Sequence, residues 1–341
     1  MIQVLFKMEN NSLTDSIILL TVPFSNDDKS QIKCLSVVEY NKIADYLKTK
    51  NFSPQDLLDN EFLEKLIKDI KKIDLIRAPE RIFKLMERRA SLGILKDKWS
   101  KAGIYILNRT DQDYPTELKK KLRNISPPIF FVIGNKNNLN KKSIAVVGSR
   151  AVSNKDINFT KKIGDRIAEL GFSVVSGCAK GVDETAMVAT LKSEGIALGV
   201  VANNLLQFGM NKLYREYILN NNLTLLSPYN PEAKFNVGNA MGRNKIIYCL
   251  SEISIIVNST FEKGGTWSGA IENIKKKWVP IVVNRYSSNH EGNNALVKMG
   301  ATFMPKNFDI NFIQKIVKKN DLKSKKKEIS KKEKSQLDLF S

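Results

Sequence analysis

The sequence predicts an α/β fold: a doubly wound, mostly parallel sheet with a helical N-terminal domain before it and a disordered basic tail after it. Three observations predict this. Between residues 143 and 284, short and nearly all-apolar runs alternate with helical stretches, and strands apolar on both faces belong to a parallel sheet covered by helices. Before about residue 110, apolar residues recur at helical spacing instead. After about residue 312, apolar content collapses and lysine takes over. The expected domains are therefore 1–110, 111–312 and 313–341.

In the first domain, Ser53-Pro54-Gln55-Asp56 has a capping serine, proline at the first helical position and an acid in the first turn. Phe62, Leu63, Leu66, Ile67 and Ile70 then trace one helical face on a lysine-rich background. Pro79 to Met86 opens a further helix, which Gly93 is expected to end. In the second domain the expected strands are Ile144–Val147, Ser173–Ser176, Ile196–Val201, Leu223–Ser227, Ile253–Asn258 and Val279–Asn284. Helices are expected over Lys155–Leu170, Asp183–Ser193 and Trp267–Lys277. In the tail, residues 315–334 hold ten lysines against Asp321, Glu328 and Glu333. Such a run buries too little apolar surface to offset the entropy of ordering it.

Composition narrows the function. Lys and Arg number 55 against 35 acids, a formal charge of +20, and an excess of this size points to an anionic polymer or surface as partner. No apolar run approaches the roughly 18 residues of a membrane span, and the first residues, Met1 to Glu9, lack the pattern of a secretory signal. Cys34, Cys178 and Cys249 are few, odd in number and far apart. That suits neither a disulfide framework nor a zinc site, and the expected compartment is the reduced cytoplasm. The single histidine, His290, lies in a polar stretch expected to be a solvated loop, with no second ligand type near it. Histidine-based acid–base chemistry and a histidine metal site are thereby disfavoured, and no catalytic residue, metal or cofactor is assigned.

In a doubly wound sheet the ligand sits at the carboxyl ends of the strands, and four loops there attract attention. Gly148-Ser149-Arg150 combines a glycine for close backbone approach with a guanidinium fork suited to phosphate. Ser176-Gly177-Cys178-Ala179-Lys180-Gly181 leads into a helix whose N-terminus favours an anion. Gly242-Arg243-Asn244-Lys245 is the third, and Lys263-Gly264-Gly265-Thr266 the fourth. Each alone is an ordinary tight connection, but each carries Arg or Lys, and together they would form one electropositive crevice. Asp183 is expected to cap the helix beginning there. Tyr229, Tyr248 and Trp267 are candidates for stacking on bases, and equally for the core.

These segments resemble, in order, the motifs of the DNA-processing protein A (DprA/Smf) family: Gly148-Ser149-Arg150; Ser176-Gly177-x-Ala179-x-Gly181-Val182-Asp183; Arg243-Asn244-Lys245-Ile246-Ile247; Gly264-Gly265-Thr266. Asp113-Tyr114-Pro115, Pro127-Pro128 and Gly134 resemble the lead-in to that family's Rossmann-like domain, and Ala102-Gly103-Ile104 the end of its helical module. The resemblance spans residues 75–305 and implies a dimeric, non-catalytic protein that binds single-stranded DNA and helps load the recombinase RecA during DNA uptake or recombination. On that analogy Arg150, Lys180, Arg243 and Lys245 contact phosphates, while Gly177, Gly181, Gly264 and Gly265 give backbone access. The chain departs from the pattern at Ala186-Met187, where the family has Ala-His, at Val201-Ala202-Asn203-Asn204 and at Ser227-Pro228-Tyr229-Asn230. No winged helix follows the core, and a role in a mobile element or in defence against phage fits as well as transformation.

The last residues, Gln336-Leu337-Asp338-Leu339-Phe340, resemble the short peptide by which bacterial proteins dock on the replicative sliding clamp. Leu339 and Phe340 would be apolar anchors on a soluble tail, able to enter a hydrophobic groove. Two other classes stay open: a nucleotide sensor, and a nucleoside-monophosphate phosphoribohydrolase of the LOG type, in which Arg243 and Glu272 would bind and cleave the substrate.

Overall fold

The computed structural model describes residues 11–24, 32–286 and 290–319. In chain order its helices are α1 (Ser12–Thr21), α2 (Val37–Thr49), α3 (Asn60–Lys72), α4 (Arg81–Met86), α5 (Arg89–Lys101), α6 (Thr116–Leu122), α7 (Asn154–Glu169), α8 (Val182–Lys192), α9 (Leu205–Gly209), α10 (Lys212–Leu219), α11 (Val237–Leu250), α12 (Gly264–Lys276) and α13 (His290–Lys298). The strands are β1 (Tyr105–Asn108), β2 (Ile129–Gly134), β3 (Ser143–Val147), β4 (Ser173–Ser176), β5 (Ala197–Val200), β6 (Leu223–Ser227), β7 (Ile253–Ile256), β8 (Ile281–Val283) and β9 (Thr302–Phe303). The chain folds into two compact units, one from residues 1–140 and 201–240, the other from 141–200 and 241–341.

The first unit carries the expected helices. Ile17, Ile18, Leu19 and Leu20 bury consecutive positions of α1, so this helix is enclosed rather than amphipathic. Ser36 and Glu39 form a reciprocal capping box on α2. Ser53 precedes a short 3₁₀ turn, Pro54–Leu58, and its amide donates to the Asp56 carboxylate at 2.7 Å. Leu63, Leu66 and Ile70 form the buried face of α3, with Phe62 and Ile67 on its half-buried flanks.

Gly93 does not end a helix; it lies inside α5, exposed, and a Cβ there would meet nothing within 4 Å. Trp99, fully buried six residues before β1 begins, holds α5 past the glycine by packing edge-on against Phe131 at 4.9 Å. Gly93→Ala is therefore expected to stabilise the protein by about 0.5–1 kcal/mol, read as a higher urea midpoint at unchanged slope.

β1 and β2 were not foreseen, and β2 is the strand that brings antiparallel pairing into the sheet. β2 pairs antiparallel with both neighbours, Phe131 lying opposite Ile106 on β1 and opposite Ser227 on β6. The Pro127-Pro128 step breaks the preceding turn, and the all-apolar run Ile129-Phe130-Phe131-Val132-Ile133 then fills the centre of this small sheet.

The second unit is the expected doubly wound part. β5, β4, β3, β7, β8 and β9 lie side by side in that order, every adjacent pair parallel. β3, β4, β5, β7 and β8 are buried throughout. α7 and α8 meet closely because Gly164 leaves no side chain between them: a Cβ there would lie 2.8 Å from that of Ala189. Thr190 locks the contact by donating to the Gly164 carbonyl at 3.0 Å. His290, expected in a loop, is the first residue of α13. Residues 310–319 form a closing helix in which Ile313 is buried. The Phe308 carbonyl just before it accepts from Arg166 Nε at 3.1 Å. The rest of the tail, including Gln336, Leu337, Leu339 and Phe340, lies outside the described residues.

Because β3 has β4 on one side and β7 on the other, the chain winds outward in both directions from β3. The connections leaving β3 and β7 part there, opening the crevice in which such sheets bind ligands.

Candidate nucleic-acid interface

The loop after β3 is pinned by two polar side chains. Asn258, just past β7, accepts from the Ser149 amide at 2.7 Å and donates to Asp156 at 3.2 Å. Asp156 is fully buried and sits in the capping box that Ser153 makes at the start of α7. Gly148 is required where it stands, since a Cβ would fall 2.5 Å from Val182 and 2.9 Å from Asn258 Oδ1. Arg150 follows, exposed.

The loop after β4 interlocks with the first. Gly181 takes φ 94°, and a Cβ there would lie 2.8 Å from the carbonyls of both Ser149 and Arg150. Ser176 anchors the other end, its hydroxyl donating to the Val146 carbonyl at 2.6 Å. Asp183 does not cap its own helix. The N-cap of α8 is Gly181, and the Asp183 carboxylate turns back to accept from the Gly177 amide at 3.1 Å and from that of Ala179. Two of the amides expected to cradle an anion are thus engaged by an internal acid, and the loop's positive charge is carried by side chains. Lys180 stands exposed at the rim.

Beneath this loop lies Arg243. It is 7% exposed, and its Nη1 donates to the Gly177 carbonyl at 2.6 Å and to the Val200 carbonyl. The absence of a side chain at Gly177 makes room for it, because a Cβ would stand 2.4 Å from Nη1. Burial pushes the Asp183 carboxyl up to about 6, against the opposing pull of the Arg243 charge and of its hydrogen bonds. Cys178 is buried beside them at φ 58°, its thiol pushed up to about 12 by burial. It is an inert packing group against the Met187 thioether, 3.8 Å away.

The next residue on α11, Asn244, reaches the other glycine loop, donating to the Gly265 carbonyl at 3.1 Å. The middle of α11, a segment expected to be a loop, thus ties both glycine loops: Arg243 holds 176–181 and Asn244 holds 264–266. Gly264 is exposed at φ 81°, and Thr266 and Lys245 are half-buried. Tyr248 and Trp267 belong to the core, at 2% and 7% exposure, while Tyr229 donates to the Asn239 carbonyl. Glu272 is half-buried on α12.

The contacts therefore bring Gly148, Ser149, Arg150, Ser176, Gly177, Gly181 and Arg243 into one cluster, with Asn244, Gly264, Gly265 and Thr266 attached through α11. Lys180 extends from the second loop and Lys245 from α11. Sequence reasoning missed Asn258 and Asp156, since a single asparagine after a strand carries no motif. Among the described residues no group of three or more His, Cys, Asp or Glu could hold a metal ion, and no helix is long and apolar enough to cross a membrane.

The profile of the DNA recombination-mediator protein A family matches residues 105–314, more than half of the chain. The chain belongs to this family. The DNA processing protein DprA of Streptococcus pneumoniae is 30% identical over 239 residues, covering 65% of this chain and 81% of that protein. The crystal structure of S. pneumoniae DprA superposes with a TM-score of 0.64 at 23% identity, over 79% of this chain and 90% of that one. The DprA of Helicobacter pylori, described for its single-stranded DNA binding mode, superposes with a TM-score of 0.51 at 24% identity, over 63% and 96%. The matched region of this DprA family member holds the whole of the interlocked cluster just described, and its fold is the Rossmann-like one the resemblance implied.

Proposed function

We propose that this protein is a non-catalytic recombination mediator that binds single-stranded DNA at the carboxyl edge of its parallel sheet. The observation that carries the reading is the pair of interlocked glycine loops holding two exposed cations, Arg150 and Lys180, above a buried frame. Arg150 and Lys180 meet phosphates, with Lys245 beside them. Ser149, Asn244 and Thr266 supply polar contacts, and Gly148, Gly177, Gly181, Gly264 and Gly265 let backbone approach. Arg243 acts from below, as a positioning residue for the loop, because its Nη1 is already bound to two carbonyls. This same engagement weighs against the phosphoribohydrolase reading, which needs Arg243 at the substrate. By analogy with the family, the protein works in the cytoplasm as a homodimer and hands its DNA to RecA. The terminal peptide Gln336–Phe340 would recruit the sliding clamp, and equal clamp capture by wild type and Leu339→Ala/Phe340→Ala would sink that part.

The test is fluorescence anisotropy with a labelled single-stranded oligonucleotide across a salt series. Arg150→Ala/Lys180→Ala is expected to weaken binding at least about tenfold and to lower the salt slope by about two. A chain ending at Lys319 should keep the site; ending it earlier would remove Phe308 and Ile313 from the core. Loss of binding only on removing the tail would place the DNA there and return the crevice to a nucleotide.

A further inference from the structure

We propose that the cleft beyond the ends of β8 and β9 is a second subsite for the same strand of DNA, taking one stacked base with its phosphate. The proposal rests on the reading that the neighbouring loops bind single-stranded DNA. The cleft, of about 610 Å³, is lined by Phe159, Asn284, Arg285, Tyr286, Met304 and Lys306, with Pro305 between the last two. A volume of this size suits a small organic ligand.

Its chemistry is that of a stacking platform with flanking charge. Tyr286 is 71% exposed, which folding alone does not explain. Phe159 presents a second, half-buried ring from α7. Arg285 is held in place over the Phe303 ring, its Cζ 4.3 Å from the centroid, and Lys306 is exposed just past the neighbouring strand β9. Aromatic faces beside a guanidinium and an ammonium are the combination that binds single strands without reading their sequence.

The floor is rigid. Asn284 Oδ1 accepts from the Tyr286 amide at 3.0 Å, Asn293 donates to the Asn284 carbonyl at 3.0 Å, and the Met304 amide donates to the Val283 carbonyl at 2.8 Å. Its position makes it continuous with the glycine loops. β3, β7, β8 and β9 are successive parallel strands, so residues 284–286 and 304–306 emerge on the same edge as 148–150. The offset is two to three strands, about 10–14 Å, a reach that a strand of several nucleotides covers and a very short one does not.

The experiment compares oligothymidylates of about four and about twelve nucleotides, within the span of known single-strand sites, on the full chain. Tyr286→Ala is expected to weaken the longer one roughly tenfold and leave the shorter unchanged, while Tyr286→Phe, which keeps the ring, binds as wild type. Arg285→Ala/Lys306→Ala should do the same and lower the salt slope for the longer oligonucleotide by about two. Wild-type affinity of both variants for the longer oligonucleotide overturns the proposal. It is equally overturned if Tyr286→Ala changes only the sedimenting mass, which would make this face a contact between copies of the chain. If wild type binds neither length, the underlying DNA reading fails instead.

Discussion

Arg243→Met is expected to destabilise the second unit by roughly 3–5 kcal/mol, the usual cost of removing one partner from a buried charge pair. The guanidinium is enclosed, it satisfies the carbonyls of Gly177 and Val200, and its charge offsets that of the buried Asp183. Methionine fills similar space but donates nothing, so two carbonyls lose their donor and the buried carboxylate loses the charge that offsets its own. DNA binding should fall as well, because the loop carrying Lys180 rests on this side chain. Arg243→Lys is expected to recover little, since one ammonium cannot reproduce the planar fork. Adding Asp183→Asn to Arg243→Met should restore part of the loss, giving a coupling that a double-mutant cycle reads in urea unfolding. A loss below about 1 kcal/mol for Arg243→Met would show that the pair is not a structural frame.

The second large effect is a pH dependence centred on Asp183. Its carboxyl is pushed up from an ordinary 3.8 to about 6 in the folded protein. Between those values the folded chain holds a proton that the unfolded chain has released. Stability from this group is therefore greatest in acid, falls as pH rises through the window, and is fully lost above about 6. The total is roughly 3 kcal/mol. Arg243 is the charge that opposes the shift, and Asp183 in turn raises the Cys178 thiol and the Tyr248 phenol beside it. Unfolding free energies of wild type and Asp183→Asn, measured from about pH 4 to pH 8, should converge in acid relative to their separation at neutrality. Parallel curves would mean that the carboxyl titrates normally.

Much of the second unit was legible because its signals are local. An all-apolar run flanked by glycine reads as a buried parallel strand wherever it occurs, and β3, β4, β5, β7 and β8 were all visible that way. The strand character of Leu223–Ser227 was visible too, but its antiparallel partner β2 was not. That pairing joins residues nearly a hundred positions apart and leaves no trace in either run. Gly93 misled for a related reason: glycine weakens a helix, yet the burial of Leu92 and Trp99 on either side decides the outcome. At the site, the glycines and cations could be read as a set, since their types are constrained by backbone approach and charge. The internal engagement of Arg243 and Asp183 could not, because an arginine beneath a loop and one above it look the same in sequence.

The two segments that make up each unit also bear on how the chain emerges from the ribosome. Residues 1–140 cannot complete their sheet until β6 at 223–227 has been synthesised, and β3 to β5 wait for β7. Neither half can mature first and then serve as a template for the other. Late contacts between distant parts of the chain slow folding and leave apolar edges open to aggregation meanwhile. Nascent chains stalled near residue 200 should accordingly be protease-sensitive throughout, and expression of either half alone should yield insoluble material.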